Sequence, residues 1–299
     1  MSPKDKRHPV LLGIMIIGIV LVVFFISVFA LTYFNKGSLS FVGGDKIGVV
    51  TIRGVIKDSR TTIDQLLRFK KDKNVKAIVL RIDSPGGGVG PSQEIYEEVG
   101  KIRAKKKVVA SMGSVAASGG YYIACAADRI VANPGTITGS IGVIIEFGNV
   151  EELMNKIGFK SVVIKSGEHK DVMSPFRTIT SEERSLLQGV IDSVHNQFVE
   201  AVSRGRKLEK EAVYRIADGR IFSGEQAKAL GLVDTLGNFQ DAVSEAAEIV
   251  GIEGDPKVVY PPKKKLSLLD YLLQNMANNF IDHLKGRGYQ FSYLFVPSS

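Results

Sequence analysis

The residue types that most often bring chemistry with them are scarce in this chain. One cysteine, Cys125, occurs among 299 residues, which excludes an intrachain disulfide and a cysteine-based zinc cluster. It lies between Ala124 and Ala126 in a stretch that reads as a packed helix, so it is expected to be a small buried apolar residue without a catalytic part. Only four histidines are present. No G-x-x-x-x-G-K-[ST] loop exists, and the spacing of Gly86, Gly88 and Gly90 fails the G-x-G-x-x-G pattern, so the glycine-rich stretch is not read as a nucleotide loop. No internal repeat is visible, and nothing in the residue pattern calls for a metal or another cofactor.

What is abundant is apolar. Hydrophobic residues make up 44% of the chain, enough to bury a substantial core. The run Val10 to Phe34 carries no charge and exceeds the roughly 20 residues that a helix needs to cross a bilayer. Lys4, Lys6 and Arg7 precede it, which places the N-terminus in the cytoplasm and everything beyond Lys36 outside. Cleavage after Val28-Phe29-Ala30 is the competing reading, but the apolar stretch is longer than the hydrophobic core of a cleaved leader, which favours a retained anchor in the plasma (inner) membrane. The net charge of +8, concentrated at Arg103 to Lys107 and Lys263 to Lys265, reads as solvated faces or contact with anionic headgroups of the lipid bilayer; nucleic acid is not expected past a membrane anchor.

Beyond a linker, strands at Ile47 to Ile56, Val75 to Ile82 and Lys107 to Met112 alternate with helices at Thr61 to Lys71 and Ser92 to Ile102. That alternation predicts α/β layers on a mainly parallel sheet. A Gly- and Ala-rich helix is expected at Ser118 to Ala127, with short strands at Arg129 to Val131, Gly142 to Glu146 and Val162 to Lys165. Thr180 with Glu183 three residues on has capping-box spacing and opens a long helix to about Arg204. Leu186, Leu187, Val190, Val194, Phe198 and Val202 form its apolar stripe, for the core or a subunit interface. A helix at Phe239 to Val250 follows. Leu269, Leu272, Leu273, Met276, Phe280 and Leu284 then mark an amphipathic stretch suited to a membrane surface or a neighbouring subunit.

Two glycine-rich stretches stand where a strand ends and a helix begins. In Asp83-Ser84-Pro85-Gly86-Gly87-Gly88 the backbone can approach a substrate and offer N–H groups to an oxyanion. In Ser114-Val115-Ala116-Ala117-Ser118-Gly119-Gly120 small neighbours leave the Ser118 hydroxyl reachable, in an arrangement similar to a nucleophile elbow, although such stretches are also common helix-packing surfaces. A serine nucleophile needs a base. His8 is on the cytoplasmic side, and His195 and His283 belong to helices whose patterning explains them. His169 and Lys170, adjacent in Lys165-Ser-Gly-Glu-His-Lys170, remain, and spacing does not choose between them. A lysine base must be neutral against a reference value of about 10.4, which requires a desolvated site.

At these residues the sequence resembles the signal peptide peptidase A family, S49-type Ser-Lys serine peptidases of the ClpP/crotonase-like superfamily. The resemblance rests on Asp83-Ser-Pro-Gly-Gly-Gly88, Ala116-Ala-Ser-Gly-Gly-Tyr-Tyr122, Ala132-Asn-Pro-Gly-Thr-Ile-Thr-Gly-Ser-Ile-Gly-Val143, Lys165-Ser-Gly-Glu-His-Lys170, Asp218-Gly-Arg220 and Gly231-Leu-Val-Asp234. It implies a ClpP/crotonase-like layered fold, Ser118 as nucleophile, Lys170 as base, and Ser140 as hydrogen-bond partner of the lysine amine. It further implies an oxyanion hole from the N–H groups of Gly87 and Gly119. Signal-peptide-derived or other hydrophobic peptides left in the membrane are the implied substrates. A homo-oligomeric ring, an octamer with serine and lysine supplied by neighbouring subunits, is the implied assembly. The expected organisation is a cytoplasmic N-terminus (1–9), a transmembrane helix (10–34), a linker (35–44), a peptidase domain (45–255) and a C-terminal amphipathic or interface segment (256–299). The rival readings are a crotonase-like acyl-CoA enzyme and a non-catalytic membrane-anchored scaffold that binds peptides.

Overall fold

The computed structural model describes residues 17–28, 45–262 and the backbone of 292–294. Residues 17–28 form a helix, α1, with exposed side chains, and belong to a unit separate from 45–299. Among the described residues no helix is long and apolar enough to cross a membrane. Helix α1 covers part of the apolar run 10–34, and the rest of that run lies outside the described residues, as does the amphipathic stretch at 269–284.

From residue 45 onward strands and helices alternate. They are β1 (Lys46–Arg53), α2 (Arg60–Lys71), β2 (Val75–Ser84), β3 (Gly86–Gly88), α3 (Val89–Arg103), β4 (Lys107–Ala117) and α4 (Gly119–Ala124). Next come β5 (Arg129–Ala132), β6 (Ile137–Gly139), α5 (Glu151–Lys156), a single 3₁₀ turn at Glu168–Asp171, and α6 (Ser181–Arg206). The chain continues through α7 (Lys210–Tyr214), β7 (Ile221–Ser223), α8 (Gly224–Ala229), β8 (Thr235–Leu236), α9 (Phe239–Ile249) and β9 (Lys257–Val259), with β10 at Ser292–Leu294.

Eight strands form one sheet in the order β7-β6-β4-β2-β1-β9, with β5 on β4 and β8 on β5. Every pairing in it is parallel except β6 with β7. The central strands are apolar on both sides because both faces are covered. Ile78, Leu80 and Ile82 of β2 join the cluster under α3, α4 and α6, while Ala77 and Val79 face α9 through Ala242, Val243, Ala246 and Ala247. The α/β fold with a mainly parallel sheet is thus the one expected from the alternation, and the capping box at Thr180 and Glu183 is present.

Two expected strands do not form. Val162 and Ile164 are 85% and 98% exposed, so their β-forming side chains find no partner strand among the described residues. The strand foreseen at Gly142 to Glu146 lies earlier, at β6, where Thr138 is held by its hydroxyl donating to the Ala116 carbonyl at 2.7 Å. In α6 the apolar stripe divides. Phe198 and Val202 are fully buried, whereas Leu186 and Val190 are exposed.

Candidate active site

Strand β4 pairs with two partners in succession. Val109 to Ser111 match Arg129 to Val131 of β5, and Val115 to Ala117 match Ile137 to Gly139 of β6. The register shift on β2 between Ile82 and Ser84 permits the change, and the Asp83 carboxylate steadies it by accepting from the Val115 N–H at 3.3 Å. A Cβ on Gly113 would stand 2.8 Å from that carboxyl carbon, so the close approach needs glycine there.

Since Ala117 and Gly139 are in register, the residues that follow them, Ser118 and Ser140, leave neighbouring parallel strands side by side. Both are held in the left-handed region, with φ of 54° and 50°. For a residue with a Cβ this conformation costs roughly 1 kcal/mol or more, and it persists only where surrounding bonds impose it. Those bonds are the Ser118 N–H to the Gly139 carbonyl and the Ser140 N–H to the Arg220 carbonyl, each 2.8 Å. The Asp218-Gly-Arg220 motif acquires a physical role here: its loop carries the carbonyl that fixes Ser140. The Gly231 to Asp234 motif is structural as well, since the Asp234 carboxylate accepts from the Ile130 N–H and is bridged by Arg206.

Ser118 is 1% exposed and caps α4, the Tyr122 N–H donating to its carbonyl at 2.8 Å. Its hydroxyl makes no hydrogen bond among the described residues. Gly119 is the first residue of α4, so its N–H has no intrahelical acceptor. A Cβ at Gly120 would come within 3.0 Å of the Ser84 carbonyl oxygen, which keeps the elbow against the end of β2.

The glycine strand β3 lies beside this elbow. Ile56 bridges it in parallel, its N–H donating to the Gly86 carbonyl and its carbonyl accepting from Gly88, both at 2.8 Å. The Gly86 N–H is directed to the Ser84 hydroxyl at 3.1 Å. Strand alternation therefore leaves the Gly87 N–H and carbonyl pointing to the opposite edge. Of the three N–H groups in the triplet, those of Gly86 and Gly88 are directed to Ser84 and Ile56, and that of Gly87 faces the edge on which β10 pairs. A Cβ there would lie 2.2 Å from the Ile56 carbonyl oxygen, so no other residue fits. The edge accepts extended backbone: β10 pairs with β3 antiparallel, Tyr293 opposite Gly87, and also lies against α3 and α4.

Lys170 sits apart from this constellation. It is exposed, on the 3₁₀ turn Glu168–Asp171, and no hydrogen bond or ion pair links its amine to Ser118, Ser140 or any other described residue. His169 is exposed beside Glu182, its Nε2 3.7 Å from the carboxylate. Lys165, the other lysine of that motif, is occupied: its Nζ donates to the Glu168 carbonyl and the Asp171 carboxylate, each at 2.6 Å. Ser118, Ser140, Gly87 and Gly119 thus converge at one end of the sheet within a single chain, and Lys170 does not join them there.

The segment before Lys170 also carries an exposed apolar surface, part of which, Val162 to Lys165, the residue pattern predicts as a strand. Leu153, Ile157, Phe159, Val162, Val163 and Ile164 are all exposed. Cys125, by contrast, behaves as expected: it is buried, and burial pushes its thiol up to about 12. Among the described residues no cluster of His, Cys, Asp and Glu is placed to hold a metal ion.

Comparison with known proteins follows the same lines. The description "Peptidase family S49" matches residues 101–253, and "Clp protease" matches residues 46–135. A Synechocystis protein named "Putative protease slr0021" is 45% identical over 241 residues, covering 78% of this chain and 87% of its own length. "Protease 4" of Salmonella typhi is 40% identical over 70% of this chain, which spans 35% of that larger protein. "Serine protease SPPA, chloroplastic" of Arabidopsis thaliana is 30% identical over 85% of this chain and 38% of its own length.

Proposed function

Because this chain belongs to peptidase family S49 and is a serine peptidase, we propose that it is a membrane-anchored endopeptidase that degrades remnant signal peptides and other hydrophobic peptides by a Ser118–Lys170 dyad. The observation that carries the reading is the placement of the Ser118 elbow beside a glycine strand whose outer edge accepts an extended chain. A peptide laid antiparallel on that edge in place of β10 would bring a carbonyl to Ser118, with strand pairing for affinity.

In the proposed reaction the Ser118 oxygen attacks the peptide carbonyl while its proton passes to Lys170, and the N–H groups of Gly87 and Gly119 receive the oxyanion. The lysine then returns the proton to the leaving amine, and water, deprotonated in the same way, releases the acyl group. Ser140 orients the lysine amine. A lysine can do this only when uncharged, which demands a dry site. Lys170 is exposed in the single chain while Ser118 is buried, and this favours a site closed by a neighbouring subunit in a ring, an octamer, with the exposed apolar surface at 153–164 supplying contact area. The uncharged run 10–34 supports a single-pass anchor in the plasma membrane, N-terminus inside and peptidase domain (45–255) outside, within reach of peptides left in the bilayer.

The test is cleavage of a fluorogenic signal-peptide-like substrate by wild type, Ser118→Ala, Lys170→Ala and His169→Ala across about pH 6 to 10, a range that brackets a lysine made less basic by its site. Activity lost in the first two variants and kept in His169→Ala establishes the dyad. An active Lys170→Ala with a dead His169→Ala transfers the base to histidine. No peptide cleavage by wild type favours the scaffold reading, and turnover of an acyl-CoA thioester the crotonase-like one.

A further inference from the structure

The turn that carries Lys170 is held by an ion cluster drawn from three separate stretches. Asp171, the residue after Lys170, receives Lys165 from the stretch before it. Arg177, from the loop after it, donates to both Asp171 oxygens at 2.8 and 3.0 Å and to the Asp171 carbonyl at 3.2 Å. The same guanidinium reaches Glu183 in the first turn of α6 at 2.5 and 2.8 Å. Glu183 is 3% exposed and also accepts from the Thr180 N–H at 3.0 Å. Arg177 is therefore a planar fork clamped between the turn and the start of α6, a geometry that lysine does not reproduce.

From this arrangement we infer that Arg177 and Asp171 are positioning residues for the proposed base, fixing the backbone on both sides of Lys170 and cancelling the carboxylate charge next to it. The inference rests on the reading of Lys170 as base. A carboxylate one residue away would otherwise favour the charged ammonium, which cannot accept a proton from serine. Lys165 and Arg177 neutralise Asp171, and Arg177 is shared with Glu183, so the four side chains together carry no net charge. Other titratable or charged groups near the turn include Glu168 and His169 on it, Glu182 on α6, which faces His169, and Glu151 on α5, which accepts from the Thr178 hydroxyl beside Arg177. Both cluster carboxyls are held below their usual range, Asp171 by its hydrogen bonds from Arg177 and then Lys165, and Glu183 by its bonds from Arg177 and then Thr180. The Lys170 amine itself has no hydrogen-bond or ion-pair partner among the described residues.

The experiment compares pH–rate profiles of the full chain and the variants Arg177→Met, Arg177→Lys, Asp171→Asn and Lys170→Ala. Removing the Arg177 charge leaves the cluster net negative, so the acidic limb of the profile moves to higher pH by about one unit. Asp171→Asn leaves it net positive and moves that limb to lower pH. In Arg177→Met the maximal kcat falls about ten- to a hundredfold from misplacement of the turn, with KM little changed, and Arg177→Lys restores the position of the limb but not the full kcat. A general loss of packing does not produce opposite shifts. Unshifted profiles in both Arg177→Met and Asp171→Asn, with Lys170→Ala inactive, overturn the inference and leave the dyad standing. A fully active Lys170→Ala removes both. Should Arg177→Met fail to fold, the direction of the Asp171→Asn shift decides alone.

Discussion

Ser118 and Ser140 leave adjacent strands among backbone contacts so close that Gly87, Gly113 and Gly120 have little or no room for a Cβ, whereas Lys170 rides on an exposed segment steadied by charge. The first region is complete within one chain: parallel strand registers, a bridge to Ile56 and two imposed left-handed residues leave it one geometry. The second is apolar where it meets solvent, from Leu153 to Ile164, and polar where it meets the chain. Preorganisation of a nucleophile and its oxyanion donors is achieved by packing, which needs many neighbours. An uncharged lysine needs a dry environment, which a lone exposed turn does not supply. The difference teaches that packing within the chain builds the serine region, whereas the lysine region is an exposed turn held by charge.

The largest effect that would blur this contrast is a change at the tightest contact. Gly87→Ala places a methyl against the Ile56 carbonyl, so β3 must move away from its bridge. Stability is expected to fall by about 1–3 kcal/mol, as for other forced overpacking, and kcat/KM by about a hundredfold or more, because a shift near 1 Å misaims an oxyanion donor. Thermal unfolding and peptide cleavage measure the two, and a variant with wild-type activity removes Gly87 from the site.

Next in size is the exposed side. Ile164→Asp puts a charge on a residue that is 98% exposed, so the melting temperature of the isolated fold is expected to stay within the small range of surface substitutions. If the segment is an interface, the assembly dissociates because a charge then has to be desolvated, and activity goes with it. Analytical ultracentrifugation reads the outcome, and an unchanged sedimentation coefficient breaks the proposed link between this surface and the ring.

Acid sharpens the comparison further. Glu183 is drawn down to about 2 by its bonds from Arg177 and Thr180, against an ordinary value of 4.5. A carboxyl with a lowered value stabilises the folded state fully above its unfolded value and loses that contribution as pH falls through the folded one. Between about pH 4.5 and 2 the amides at 168–177 are therefore expected to lose hydrogen-exchange protection, after correction for intrinsic rates, while the Ala116 to Ser118 amides keep theirs. Equal loss in both regions would remove the distinction between a packed half and a charge-steadied half.

The smallest effect is at Cys125, whose thiol burial pushes up to about 12. Iodoacetamide at pH 8 should leave both the thiol and activity untouched unless the chain is unfolded, because alkylation requires the thiolate.

Much of the first region was legible beforehand because it is written in local terms. Apolar alternation located the central strands, small residues around Ser118 marked the elbow, and Thr180 with Glu183 marked the start of α6. Where the pattern misled, at Val162 to Lys165, β-forming residues predict a strand although no partner strand is present among the described residues to pair with them.

Composition and pattern alone determined an α/β chain with an elbow serine, a glycine strand and a segment with two candidate bases, His169 and Lys170, since periodicity and small-residue spacing are properties of neighbours in sequence. Tertiary structure alone decided that Ser118 and Ser140 emerge side by side, that Gly87 is the glycine whose N–H faces the edge paired by β10, and that Arg177 ties Asp171 to Glu183. Those facts depend on strand register and on which loops meet in space, and neither is encoded in any single stretch of residues.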